Sequence, residues 1–174
     1  LRRIYNNNNV KNIPLSLLYK IAIQLGSDIP ACLKSYDLKL EGYGEIITRT
    51  KISDKYYFLL INPNIMLSTT KIFEHFSYSK KNINKSNIYF ENINIKNSLL
   101  SSAIALAPQI SKILTNFQYN KNIVAHGMSG SGSTCFAIFK DFIVLSLHVE
   151  NFKKYINSSY FIWFDPKKEY SLIR

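Results

Sequence analysis

The sequence predicts an α+β protein in which an antiparallel sheet carries helices on one face. From residue 55 onward, the hydrophobic pattern follows the order strand, helices, strand, strand, helix, strand. Over 174 residues, 47% are hydrophobic and 14% are aromatic, which is enough for a packed core and argues against disorder. No apolar run reaches the roughly 18 residues that a membrane span requires. We therefore expect one globular domain or two small ones.

The first 54 residues combine helices with short extended segments. Leu1 to Tyr5 is typical of a helix end, and Pro14 begins a second helix that runs to about Leu25 and ends at Gly26. Its apolar face consists of Leu15, Leu18, Ala22 and Leu25. Extended segments are predicted at residues 31–33, 38–40 and 45–48, with Gly42-Tyr43-Gly44 as the turn before the last.

The remaining residues supply the predicted sheet and its helices. A strand at residues 55–61 ends at Asn62-Pro63-Asn64. Ser68, Asn97 and Pro108 are placed to begin helices, which are predicted over residues 69–76, up to 106, and 109–117. Residues 77–95 are polar and rich in asparagine, and are predicted to form a loop. Strands at 122–125 and 134–139, a helix at 142–155 and a strand at 160–164 complete the domain.

A glycine- and serine-rich run joins two of these strands. Glycine lets the backbone approach an anion closely, while successive amide groups and serine hydroxyls donate hydrogen bonds. The run therefore predicts contact with a phosphate group, and an ordinary hairpin loop is the alternative. Its candidate residues are Gly127, Ser129, Gly130, Ser131, Gly132 and Ser133. We call residues 127–133 the Gly-Ser run.

Asp28 is the second candidate, in the segment Gly26-Ser27-Asp28-Ile29-Pro30. A carboxylate at the end of a helix can accept or orient the proton of a substrate hydroxyl. The alternative is an ordinary turn residue, since aspartate is common in turns.

Charge and cysteine content limit the other function classes. The net charge of +11 favours acidic partners such as nucleic acids or phosphorylated small molecules. The lysines are scattered and no RNA-binding motif is present, so nucleic acid is disfavoured. Cys32 and Cys135 lie in apolar sequence and are predicted to be buried thiols. The three histidines lack metal-ligand spacing. With no recognisable secretory segment, we expect a cytoplasmic protein without a metal site.

Four segments occur in the order found in one kinase superfamily. They are Gly26-Ser27-Asp28-Ile29-Pro30, Gly42-Tyr43-Gly44-Glu45, Asn62-Pro63 with Ser68-Thr69 and Phe73, and Met128-Ser129-Gly130-Ser131-Gly132-Ser133. The chain thereby resembles the galactokinase, homoserine kinase, mevalonate kinase and phosphomevalonate kinase (GHMP) superfamily. Within it, the motifs are most similar to kinases of the non-mevalonate isoprenoid route.

This resemblance implies a fold, a reaction and roles for individual residues. Residues 1–54 would be the end of an N-terminal domain of the ribosomal S5 domain 2-like fold, and residues 55–174 a ferredoxin-like α/β-sandwich C-terminal domain. The reaction would be ATP- and Mg²⁺-dependent phosphorylation of the 2-hydroxyl of a cytidyl-diphosphate substrate. Asp28 would be the catalytic aspartate and Phe73 would stack on cytosine, with Thr69 close by. The Gly-Ser run would lie beside the phosphate-binding loop. For Phe73, core packing on its helix is the alternative.

The same resemblance leaves two hypotheses open. Kinases of this superfamily carry a catalytic lysine on an early strand and a loop of the form Pro-x-x-x-Gly-Leu-Gly-Gly-Gly-Ser-Ser, and neither occurs in this sequence. The chain would then be one part of a working kinase, completed by an N-terminal half. The other hypothesis is a catalytically inactive remnant or interaction module.

Overall fold

The computed structural model describes residues 14–34, 38–41, 46–50, 55–78, 88–90, 93–155 and 159–164. These residues divide into two compact units, and the division falls between Lys55 and Tyr56. The boundary expected from the sequence lies between residues 54 and 55, and the assignment of the two parts to kinase domains stays a prediction. Within the described residues, no helix is long and apolar enough to cross a membrane.

The first unit contains two helices and one hairpin: α1 (Leu15–Leu25), α2 (Ile29–Cys32), β1 (Leu38–Glu41) and β2 (Ile46–Arg49). Strands β1 and β2 pair antiparallel. Helix α1 begins directly after Pro14 and ends at Gly26, as predicted. The expected helix end at residues 1–5 and the expected turn at residues 42–44 lie outside the described residues.

Helix α1 buries only part of its predicted apolar face. Leu18 and Ala22 are buried, whereas Leu15 and Leu25 are exposed. Hydrophobic periodicity identified the helix correctly, but it does not say how much of an apolar face finds a neighbour.

The predicted strand at residues 31–33 is wrong, because this segment belongs to helix α2 and the turn that follows it. Pro30 lies in the first turn of that helix, where its fixed φ angle suits helical geometry. Ala31, Cys32 and Leu33 are neither β-branched nor aromatic, so they have little preference for a strand. The segment therefore continues the helix and its turn and does not form a strand.

The second unit is built on four strands: β3 (Tyr57–Asn62), β6 (Ile123–Met128), β7 (Cys135–Phe139) and β8 (Phe161–Trp163). They form an antiparallel sheet in the order β6-β7-β3-β8. Strand β7 is antiparallel to both β3 and β6, so β3 runs parallel to β6. Helices connect β3 to β6 and β7 to β8. This is the split βαβ topology of ferredoxin-like folds, and it confirms the predicted α+β class.

The helices of this unit are α3 (Thr69–Tyr78), α4 (Leu100–Leu106), α5 (Gln109–Gln118) and α6 (Phe142–Lys153). The predicted cap of α3 is confirmed, since the Lys71 amide donates to Ser68 Oγ at 3.4 Å. Helix α5 follows Pro108 as predicted. Helix α6 has a cap that the sequence analysis missed, because Val144 N donates to Asp141 Oδ1 at 3.0 Å.

Strand and helix side chains meet in one hydrophobic core. The strands contribute Leu59, Ile61 and Phe139, and helices α5 and α6 contribute Phe117 and Leu145. All of these side chains are buried. Burial of each such side chain stabilises the fold by about 1.5–3 kcal/mol.

The segment predicted as a loop at residues 77–95 contains regular structure. Helix α3 continues to Tyr78, and a hairpin follows with β4 (Ile88–Phe90) and β5 (Ile93–Ile95). The ring of Phe90 packs against that of Tyr56 with 4.7 Å between centroids. Isoleucine and aromatic residues, which favour strands, make up most of this hairpin, and the asparagine-rich sequence around them obscured the pattern.

The two cysteines differ in their surroundings. Cys135 is buried, and this burial raises the pKa of its thiol to about 12. Cys32 is exposed, so its predicted burial is wrong. Cys32 is the last residue of α2, a helix of four residues in which only Pro30 is buried. Residues on the other sides of so short a helix remain exposed.

His148 of α6 lies in an aromatic cluster. Its ring is 5.6 Å from that of Phe139 and 6.0 Å from that of Phe117 between centroids. Asn120 Nδ2 donates to His148 Nδ1 at 2.8 Å, which places the ring proton on Nε2. Burial lowers the pKa of His148, and it also lowers the pKa of His126 on β6.

We expect the free energy of unfolding to decrease when the pH falls below the ordinary histidine pKa of 6.5. The unfolded chain takes up protons there, whereas the folded chain does so only at lower pH because burial has lowered both pKa values. The contribution of the two histidines to the free energy of unfolding is fully present above pH 6.5. It is lost as the pH falls from 6.5 to the folded-state pKa values. Urea titrations at several pH values measure this loss, and His148→Phe should reduce it. An unchanged pH dependence in this variant would contradict the assignment to His148.

Candidate functional site

The Gly-Ser run forms the tight connection between β6 and β7. Gly127 and Met128 still belong to β6, so the turn itself spans residues 129–134. Ser129 N donates to Thr134 O at 2.9 Å, and Gly132 N donates to Ser129 O at 3.0 Å. Gly130 has φ +53° and Gly132 has φ +92°, values at which glycine is strongly favoured. We call residues 129–134 the Gly-Ser loop.

Asn97 holds this loop from outside it. Its Nδ2 donates to Met128 O at 2.9 Å and to Gly130 O at 2.8 Å. Its Oδ1 accepts from Leu99 N at 3.0 Å, just before α4. Asn97 was predicted to cap α4, and this prediction is wrong, because the cap position is Leu99 and no side chain caps the helix. The contact of Asn97 with the loop spans about thirty residues, so no local pattern indicated it.

Ser133 and Asn62 fix the other end of the loop. The Ser133 hydroxyl donates to Ile65 O at 2.8 Å and approaches Asn62 Oδ1 at 3.3 Å. Asn62 Nδ2 donates to Thr134 Oγ1 at 2.8 Å. Ser133 is only 4% exposed, so its hydroxyl supports the loop and does not face a ligand. The sequence pattern could not separate this serine from its exposed neighbours.

The middle of the loop offers hydrogen-bond donors. Gly130 is exposed and Ser131 is half-buried, and neither backbone amide donates to another residue within the part of the chain that the structure describes. Adjacent amides on a turn are a common binding arrangement for anions. Ser129 and Ser131 add hydroxyl groups to the same turn.

Thr69, from the first turn of α3, lies beside this loop. Its Oγ1 is 3.2 Å from Ser131 Oγ, although the two residues are 62 positions apart in the sequence. The start of a helix attracts negative charge through its free amides and its dipole. The structure thus brings together one predicted substrate residue and the predicted phosphate-contacting run.

Phe73 lies one turn after Thr69 on α3. Its side chain is 51% exposed, whereas the neighbouring Ile72 is fully buried. The core position of this turn is therefore taken by Ile72, and the alternative that Phe73 is a core residue is wrong. An exposed ring one turn from a hydroxyl is available for stacking on a planar ligand.

Asp28 belongs to the first unit and is exposed in the turn before α2. Its Oδ1 accepts from Ser27 Oγ at 3.5 Å, and it does not cap α2 through its side chain. The carboxylate is therefore not engaged in a helix cap. Its catalytic role stays a prediction.

The described residues contain no cluster of three or more histidine, cysteine, aspartate or glutamate side chains that could hold a metal ion. Around the Gly-Ser loop, the groups described above are amides and hydroxyls. This chemistry fits phosphate oxygens, which accept hydrogen bonds.

The comparisons with known proteins agree with this architecture. Residues 87–143 match the family model described as GHMP kinases C terminal. This range includes α4, α5, β6, the Gly-Ser loop and β7.

Curated relatives extend the similarity over most of the chain. The 4-diphosphocytidyl-2-C-methyl-D-erythritol kinase of Ehrlichia canis (strain Jake) is 37% identical over 158 residues, which are 85% of this chain and 55% of the relative. The kinase of the same name from Clostridium beijerinckii is 32% identical over 151 residues, or 79% of this chain and 52% of the relative. The chain spans about half the length of the curated relatives it matches.

A solved structure shows the same fold. The crystal structure of a 4-(cytidine 5'-diphospho)-2C-methyl-D-erythritol kinase aligns with a TM-score of 0.65 at 17% identity, covering 88% of this chain and 57% of that one. Residues 87–143 are therefore a GHMP kinase C-terminal segment, and the curated proteins to which the chain is similar over about half of their length are 4-diphosphocytidyl-2-C-methyl-D-erythritol kinases.

Proposed function

We propose that this chain is the C-terminal portion of a cytoplasmic kinase of isoprenoid synthesis. The reaction is transfer of the γ-phosphoryl group of ATP to the 2-hydroxyl of 4-diphosphocytidyl-2-C-methyl-D-erythritol. The observation that carries this proposal is the 3.2 Å approach of Thr69 Oγ1 to Ser131 Oγ. It joins the start of α3, with Phe73 one turn further, to the donor-rich Gly-Ser loop.

The loop and the start of α3 suit the diphosphate part of the substrate or the transferred phosphoryl group. The free amides of Gly130 and Ser131 and the Thr69 hydroxyl are neutral donors, and the start of α3 adds its dipole. Phosphoryl transfer depends mainly on position and charge stabilisation. A loop braced by Asn97 and Ser133 keeps these donors in place before the substrate arrives.

Phe73 suits the cytosine of the substrate. Its ring is half exposed on α3, and an aromatic ring stacked on a base contributes about 1–3 kcal/mol. Thr69, on the same face of the helix, adds a hydroxyl that donates or accepts a hydrogen bond.

Asp28 is the proposed catalytic carboxylate. It takes or orients the proton of the 2-hydroxyl while the hydroxyl oxygen attacks the γ-phosphorus of ATP. Bound Mg²⁺ neutralises phosphate charge in such reactions. The amides and hydroxyls near the loop fit the phosphate oxygens of the nucleotide, because these oxygens accept hydrogen bonds.

Reconstitution tests the proposed reaction. The part of the Ehrlichia canis kinase that this chain does not match would be co-expressed with this chain, and ADP formation would be measured with ATP, Mg²⁺ and the cytidyl-diphosphate substrate. We expect turnover that requires both chains and the substrate's 2-hydroxyl. A soluble complex that produces no ADP above a substrate-free control would argue against the kinase.

Phe73→Ala should weaken binding of the cytidyl-diphosphate substrate to this reconstituted complex by about tenfold, because the base loses its stacking partner. Stability should change by less than about 0.5 kcal/mol, as expected for an exposed side chain. Calorimetric titration measures the affinity.

Tyr78→Ala is the matched control for this prediction. Tyr78 is another aromatic residue of α3 and is 92% exposed, so its removal should leave the affinity unchanged. Equal losses in both variants would show a general effect on the helix and contradict stacking by Phe73.

A non-catalytic interaction module is the second candidate. The observation that favours it is the apolar surface of α1, where Leu17, Ile23 and Leu25 are exposed. Such surface commonly marks a binding interface. Association of the purified chain with itself, without ADP formation in the reconstituted complex, would favour this alternative.

A further inference from the structure

A cavity of about 420 Å³ opens beside strand β6. One wall is a stripe of α5 in which Ser111, Leu114, Thr115 and Gln118 follow helical spacing. Neither Thr69, Phe73 nor any residue of the Gly-Ser loop lines it. Its volume lies within the range typical of small-molecule sites.

The lining of this cavity selects for one kind of molecule. Leu100 and Ile104 of α4 add apolar lining, and none of the lining residues carries a formal charge. His126 supplies an imidazole whose Nδ1 has no hydrogen-bond partner among the described residues. The lining therefore favours an occupant that is uncharged and mainly apolar, and a hydrogen-bonding group on it would find polar partners among Ser111, Gln118 and His126.

Asn97 connects this cavity to the Gly-Ser loop. Asn97 lines the cavity, and its side chain donates to Met128 O and Gly130 O. Met128 lines the cavity as well. A molecule that packs against Asn97 limits its rotamers and thereby restrains the two carbonyl groups that it holds.

We propose that this cavity is a binding site for a small, uncharged, mainly apolar molecule with one hydrogen-bonding group, and that its occupation restrains the Gly-Ser loop through Asn97. Binding at this site does not depend on the proposed kinase reaction being correct, because neither Thr69, Phe73 nor any residue of the Gly-Ser loop lines the cavity. As the concentration of such a molecule rises, a larger fraction of the protein would have a restrained Gly-Ser loop.

Indole serves as the probe, because it is apolar, uncharged and carries one N–H donor. We expect it to bind the full chain with a dissociation constant of about 1 mM or tighter, in a titration followed by ¹H–¹⁵N NMR. The amide signals of Gly130 and Ser131 should shift along the same binding curve, although neither residue lines the cavity. Absence of saturable binding overturns the site, and binding without loop shifts overturns the coupling.

Thr115→Trp fills the cavity from its rim and should abolish indole binding. Thr115 is exposed, so the fold should tolerate this change. Lys112→Trp is the matched control, since Lys112 is exposed on the same helix and does not line the cavity. Ser111→Phe provides a second filling variant from the same wall. Indole affinity that survives both filling variants, or that is lost equally in the control, overturns the proposal.

Discussion

Replacing Asp28 with asparagine is expected to lower kcat of the reconstituted kinase by about 10²- to 10⁴-fold and to leave KM nearly unchanged. Asparagine keeps the size of the side chain but cannot accept a proton from the substrate hydroxyl. The loss should therefore fall on the chemical step and not on substrate binding. Steady-state kinetics with varied substrate, at saturating ATP, separates the two constants.

Ser27→Ala is the control for this result. Ser27 Oγ donates to Asp28 Oδ1 at 3.5 Å on the surface, so its loss should change kcat by only a few fold. A near-normal kcat in Asp28→Asn would reduce Asp28 to the turn residue that its sequence context also permits. An increase in KM at constant kcat would assign it to binding.

Gly132→Ala is expected to destabilise the second unit by about 2–4 kcal/mol. At φ +92°, a Cβ atom would strain the backbone and would lie 2.9 Å from Met128 Sδ and 3.3 Å from Leu67 Cδ1. Both neighbours belong to the packed surroundings of the loop, so relief requires repacking. Urea unfolding followed by tryptophan fluorescence or circular dichroism measures the change.

Gly130→Ala is the matched control in the same loop. Gly130 also has positive φ, at +53°, but an added Cβ would have no neighbour within 4 Å. Only the backbone cost of about 1–2 kcal/mol remains. Equal destabilisation by the two substitutions would show that the contact with Met128 does not matter at Gly132.

Local chemistry made the regular elements predictable. Pro14 and Gly26 bound α1, Ser68 caps α3, and Pro108 precedes α5. Each of these residues acts on backbone groups within one turn of itself, so sequence alone reveals it. The α+β class follows from the order of these elements, whereas the ferredoxin-like arrangement was expected only from the resemblance to GHMP kinases.

The two wrong secondary-structure predictions, at residues 31–33 and 77–95, lie in segments with weak local signals. Residues 31–33 have no strong preference, and Pro30 directed them into α2. Hairpin β4–β5 lies in asparagine-rich sequence, and Phe90 packs against the distant Tyr56. The sequence also left open whether Phe73 or Ile72 faces the core, and only the structure shows that Ile72 is the buried residue.

The sequence by itself determined the order of the four main strands and the helices of the second unit, the position of the Gly-Ser run and the similarity to GHMP kinases, since these depend on residue type and spacing along the chain. Only the tertiary structure decided that Thr69 lies beside Ser131, that Asn97 braces the loop and that Ser133 is buried. These contacts join residues about 30 to 70 positions apart. They exist because packing of α3, α4 and the sheet brings distant backbone together, and no local pattern encodes that proximity.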